Sequence, residues 1–136
     1  MKKLLIFCVL FVLLFLTGCE EKPYEFINQV DEIENIEIVS VKSIREFTVI
    51  KTLSDTQRTE FLEKFQEIMF SRYLFGDPLA VHGDGVKITY KNGEYEIICA
   101  HVTEYVWGDT EYFVMINCDK EEFSALRNSF LENVTE

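Results

Sequence analysis

The chain has 136 residues, with 24 Asp and Glu against 13 Lys and Arg and a formal charge of −11. That length suits one domain with one core, and the acidity argues against nucleic acid, which needs a basic footprint. Two prolines and six glycines argue against a long disordered linker, and no internal repeat or low-complexity tract is present.

The first element in chain order is a targeting signal. Lys2 and Lys3 precede an uncharged apolar run, Leu4 to Leu16. At about 13 residues the run is too short for a spanning helix, which needs roughly 20, and it reads as a secretory signal. It ends in Leu16-Thr17-Gly18-Cys19 and turns at once into Glu20-Glu21-Lys22. An aliphatic residue, two small residues and a cysteine at this position resemble the lipobox of bacterial lipoproteins. The resemblance implies removal of residues 1–18, lipidation of Cys19 with acyl chains such as palmitate, and a cell-membrane location on the extracytoplasmic side. Two or three acyl chains anchor stably where one binds only marginally. Removing residues 1–18 takes away two lysines and no acids, so the mature charge becomes 11 − 24 = −13. Such a charge opposes lying flat on an anionic membrane and keeps the domain soluble.

Residues 19–25 read as the lipidated N-terminus and a short tether, reaching at most ~3.5 Å per residue. Residues 26–136 read as a single acidic domain. Phe26, Val30 and Ile33 have the spacing of a short amphipathic helix. Ile36 to Val41 and Phe47 to Leu53 read as strands. Ser54-Asp55-Thr56-Gln57 is an S-x-x-Q capping box, and the apolar stripe Phe61, Leu62, Phe65, Ile68, Met69 follows it. Residues 71–85 read as a loop. Val86 to Lys91 alternates before Asn92-Gly93, a strong hairpin signal. Tyr95 to Val106 reads as one long strand, Trp107 to Thr110 as a turn and Tyr112 to Cys118 as the last strand. Asp119 caps a final helix with Phe123, Leu126, Phe130 and Leu131 on its apolar face.

The order β-β-α-β-β-β-α predicts an α+β fold, a mostly antiparallel sheet with helices on one face. From Ile36 to Leu131, with the Asn-Gly hairpin, the strand ending in Cys118-Asp119 and the closing Phe-containing helix, the chain is loosely similar to small Gram-positive lipoproteins. That likeness carries no activity to transfer.

A two-residue turn at Asn92-Gly93 pairs Tyr90 with Tyr95, Ile88 with Ile97 and Val86 with Cys99. A turn centred on Gly108-Asp109 pairs Tyr105 with Tyr112, Thr103 with Val114, His101 with Ile116 and Cys99 with Cys118. The side-chain period of two then sends Lys87, Thr89, Lys91, Glu94, Glu96 and Glu104 to the opposite face. These registers predict Cys99 and Cys118 side by side in the core, as a disulfide or as a buried thiol pair.

His82 and Asp84, with His101 opposite, could approach one another, and three such ligands would suit zinc. No recognised metal spacing is present, so the expected reading is a Gly-rich turn with no metal and no cofactor. No catalytic signature is found, and the chain is expected not to be an enzyme. Tyr73, Phe75 and Trp107 are the candidates for an exposed binding surface, since exposed aromatics mark hot spots. The expected function is a membrane-anchored binding module of the cell envelope, inhibitor- or immunity-like toward a basic protein. The alternative is a small extracytoplasmic enzyme or metal-handling protein using His82, Asp84 and His101.

Overall fold

The computed structural model describes residues 20–72 and 80–132. Its strands are β1 (Lys22–Pro23), β2 (Ile33–Ser43), β3 (Glu46–Thr52), β4 (Met69–Arg72), β5 (Gly83–Tyr90), β6 (Tyr95–Cys99), β7 (Val102–Trp107) and β8 (Thr110–Asn117). Its helices are α1 (Asp55–Phe65) and α2 (Lys120–Glu132). The strands form one sheet in the order β1-β4-β8-β7-β6-β5-β2-β3, with antiparallel neighbours throughout. The fold is α+β, with the helices against one face of the sheet. No helix of the described residues is long and apolar enough to cross a membrane.

The helix starts follow from their caps. Ser54 Oγ accepts from the Gln57 amide at 3.3 Å, and the Gln57 side chain accepts from the Ser54 amide at 3.2 Å. Asp119 Oδ1 accepts from the amides of Glu121 and Glu122, each at 2.9 Å. Helix α1 ends at Phe65, before the predicted stripe is complete. Met69 instead opens β4, opposite Pro23 of β1. Phe26, Val30 and Ile33 do not make a helix. Only a single 3-10 turn forms at Val30–Glu32, and Ile33 begins β2. Residues 71–85 are not one loop either, because Ser71 and Arg72 belong to β4 and Gly83–Gly85 to β5.

Both hairpins of the central meander were read from turn chemistry, and one register is corrected. Around β7–β8 the pairing Tyr105 to Tyr112 and Thr103 to Val114 stands as expected. Around β5–β6 the turn takes three residues. The Tyr90 amide donates to the Glu94 carbonyl at 2.9 Å, the Gly93 amide donates to the Tyr90 carbonyl at 2.9 Å, and Gly93 has φ +85. This is a turn closed by a glycine in the left-handed region, the usual three-residue hairpin. It shifts the register by one, so Ile88 faces Glu96 and Val86 faces Ile98. The expected strand Tyr95 to Val106 is also two strands. Cys99 pairs with Val102, and the chain reverses through Ala100 and His101.

These shifts place apolar side chains on both faces. The helix-side core holds Ile36, Ile38, Val86, Ile88, Ile98, Phe61, Phe65, Phe123 and Phe130. The other face buries Val39, Val41, Ile44, Val81, Ile97, Cys99, Val102 and Val106. The sheet coils over this second core. Arg45, in the β2–β3 turn, pairs with Glu111 of β8, and the Tyr95 hydroxyl donates to the Ile44 carbonyl at 3.2 Å. Gly85 sits at a close approach of the strands. A Cβ there would stand 3.1 Å from Val41 Cγ2 and 3.2 Å from the Ile98 carbonyl oxygen.

Candidate functional site

The corrected register puts Glu96 inside the protein, on the helix side, where the sequence placed it on the solvent face. Its carboxylate accepts from the Tyr24 hydroxyl at 2.5 Å and from the Tyr90 hydroxyl. The Tyr24 hydroxyl also lies 3.2 Å from Thr103 Oγ1. Burial dominates the Glu96 carboxyl and, against the pull of the two tyrosine hydroxyls, pushes it up to about 7. Both tyrosines are raised as well, first by burial and then by the Glu96 charge. The result is an acid poised near neutrality beneath Tyr24 with no exposed surface of its own.

Tyr24 reaches this position because the N-terminal segment is built into the sheet. Lys22 and Pro23 pair with Phe70 and Met69, and the Tyr24 ring packs 5.3 Å from Phe70 and 5.4 Å from Phe65. The sheet therefore takes in Lys22 and Pro23, residues that the sequence assigned to the tether. Above Tyr24 lies a pocket of about 330 Å³, lined by Lys22, Phe26, Arg72, Thr103 and Tyr105 among others. At its rim Tyr105 stacks on Tyr112, with ring centroids 4.9 Å apart and planes at 13°. Trp107 is 6.4 Å from Tyr112 and is 61% exposed.

The second cluster is the histidine corner. His82 and His101 come together, ring centroids 4.8 Å apart, and His82 Nδ1 lies 3.0 Å from the Ala80 carbonyl. Burial, then the neighbouring His82, lowers the His101 pKa. Asp84 lines the same pocket as the two histidines and pairs with Arg127 at 3.2 Å. Arg127 is buried under α2 and also donates to the carbonyls of Val39 and Gly85. Among the described residues no three His, Cys, Asp or Glu side chains gather in an arrangement that could hold a metal ion.

Cys99 and Cys118 are both buried and both free. They are not side by side. Cys99 belongs to the second core and Cys118 to the helix-side core. The reversal at Ala100-His101 separates them, and the Cys118 thiol instead points to the Ala100 carbonyl at 3.6 Å. Burial pushes the Cys99 thiol up to about 11 and the Cys118 thiol to about 12, so neither is primed as a nucleophile. Cys19, Tyr73 and Phe75 lie outside the described residues.

Sequence reasoning missed Glu96, Tyr24 and Arg127. One signal for Glu96 was present: Ile97, Ile98 and Cys99 form an unbroken apolar run, which marks a strand buried on both faces. Comparison with protein-family models, with curated proteins and with solved structures finds no match for this chain.

Proposed function

We propose that the chain is a lipoprotein held by Cys19 on the extracytoplasmic side of the cell membrane, and that its domain is a binding module of the cell envelope. The lipobox Leu16-Thr17-Gly18-Cys19 carries this reading. The build of the N-terminal segment supports it, since β1 begins at Lys22, three positions after the cysteine. A domain fastened so near its anchor works beside the bilayer. The mature charge of 11 − 24 = −13 favours a basic protein partner, inhibitor- or immunity-like in style, found faster because opposite fields steer the encounter.

Metabolic labelling with a fatty acid tests the anchor. Label enters the wild-type protein and is absent from Cys19→Ala; label persisting in the variant would overturn the reading. Capture of partners by the full chain in detergent, at low and high salt, tests the module. A basic envelope protein held at low salt and released at high salt is the expected outcome. The alternative, a small enzyme or metal-handling protein at His82, Asp84 and His101, draws on the pocket those three residues line together, but Asp84 is engaged by Arg127 and no metal-holding group of three forms among the described residues.

A further inference from the structure

The described surface carries few large exposed apolar side chains, and Trp107 and Tyr112 are two of them. Lys22 and Tyr105 line the same pocket. Tyr105 stacks on Tyr112, which is 38% exposed, and Trp107, with its ring centroid 6.4 Å from that of Tyr112, is 61% exposed. Tyrosine and tryptophan each present an apolar ring with a polar edge, and both prefer the headgroup zone of a bilayer, where one end is apolar and the other wet.

The tether fixes how far away that zone is. From Cys19 to Lys22 is three residues, a reach of about 10 Å at full extension. Lipid on Cys19 therefore holds the headgroups close to Lys22 and to the pocket that Lys22 lines with Tyr105. The local charges permit the approach. Lys22 and Arg72 both pair with Glu25, at 2.6 and 3.0 Å, and Arg45 pairs with Glu111. Glu94 accepts from the Asn28 side chain at 2.8 Å, and Glu20, Glu21 and Asp109 remain as local acids. A modest acidic excess is compatible with a zwitterionic headgroup surface and is disfavoured by an anionic one.

We infer that Trp107, with Tyr105 and Tyr112, seats in the headgroup region of the bilayer that holds the lipid on Cys19, so that this corner faces the membrane and the opposite end of the domain faces outward. The inference rests on the reading of Cys19 as the lipid anchor. It goes beyond that reading by fixing the orientation of the domain and by assigning the aromatic corner to lipid rather than to a protein partner.

Trp107 is the only tryptophan of the chain, so its fluorescence reports on this corner alone. The full lipidated protein is reconstituted in phosphatidylcholine vesicles, with and without bromine on the upper acyl carbons. Flotation and the fatty-acid label are scored on the same samples. The expected result is a floating, labelled protein with blue-shifted Trp107 emission that falls severalfold in brominated vesicles. Replacing Tyr105 and Tyr112 with Ser weakens that quenching while flotation persists. A labelled, floating protein whose Trp107 emission stays solvent-like and unquenched overturns the inference and leaves the anchor standing, with the corner free for a protein. A protein without label that does not float overturns the anchor reading and this inference together.

Discussion

On the helix-side face five aromatic rings, from Tyr24, Phe26, Phe61, Phe70 and Phe123, surround Phe65, and a carboxyl is buried among them. The opposite face packs aliphatic side chains and Cys99 around Gly85, and its buried members are all apolar. The first face uses large rings and a polar network because it must accept two helices and the incoming N-terminal segment. The second closes by coiling the sheet, so it depends on how near the strands can come. The contrast teaches where polar burial belongs in a small domain: at the seam where a separate segment is fastened, with its direction fixed by hydrogen bonds. Apolar packing alone would leave that seam free to slide.

The largest effect is expected in the aromatic core. Phe65→Ala removes the ring that the other five contact, and a loss of about 3–5 kcal/mol is expected in denaturant unfolding. On the aliphatic face Ile97→Val costs about 0.5–1.5 kcal/mol, and equal losses for the two substitutions would break the contrast.

The next effect is a pH dependence set by Glu96 on the first face. The Glu96 carboxyl is raised from 4.5 to about 7 in the folded protein. The folded state therefore binds the proton more tightly than the unfolded state. The associated stability is present in full below about pH 4.5 and is lost as pH rises through about 7, with about 3 kcal/mol at stake. Glu96→Gln removes this slope. The lowered pKa of His101 acts with the opposite sign, since its stability is present at high pH and lost as pH falls, so the difference between wild type and Glu96→Gln isolates the carboxyl. Parallel pH–stability curves for the two proteins would contradict the assignment.

Gly85→Ala sharpens the comparison from the other side. Its Cβ would crowd Val41 Cγ2 at 3.1 Å and the Ile98 carbonyl at 3.2 Å, and a loss of about 1–3 kcal/mol with no change in pH dependence is expected. The smallest effect concerns the thiols. Buried on separate faces, Cys99 and Cys118 should react slowly with thiol reagents in the native protein and form no disulfide under mild oxidation. A mass loss of two hydrogens in the native state would show that they meet.

How much of this was legible follows the strength of local chemistry. Ser54 with Gln57 and Asp119 with its two amides are complete within four residues, so both helix starts could be read directly. The Gly108-Asp109 hairpin was legible for the same reason. Asn92-Gly93 misled because the same pair serves a two-residue turn and a three-residue one, and the choice reverses which face every residue of β6 occupies. Ala100-His101 carries no turn signal. Neither residue has a positive φ, and the reversal there is imposed by pairing of β6 with β7. Strands β1 and β4 are too short to show a period, which hid the burial of Tyr24. Once the β6 register was misread, Glu96 fell among the solvated acids of an acidic chain. Arg127 was overlooked because a charged residue on a helix is ordinarily exposed, whereas here it satisfies two strand carbonyls.

The central claim is that a buried carboxyl fastens the N-terminal segment to the sheet through Tyr24. A carbon-13 titration of the Glu96 carboxyl, in the wild type and in Tyr24→Phe, tests it most directly. The account predicts a wild-type midpoint near 7, and a further rise in Tyr24→Phe, because the lost hydroxyl no longer stabilises the charged form. A midpoint near the ordinary 4.5, unchanged by Tyr24→Phe, would mean that Glu96 is solvated and that Tyr24 does not hold it.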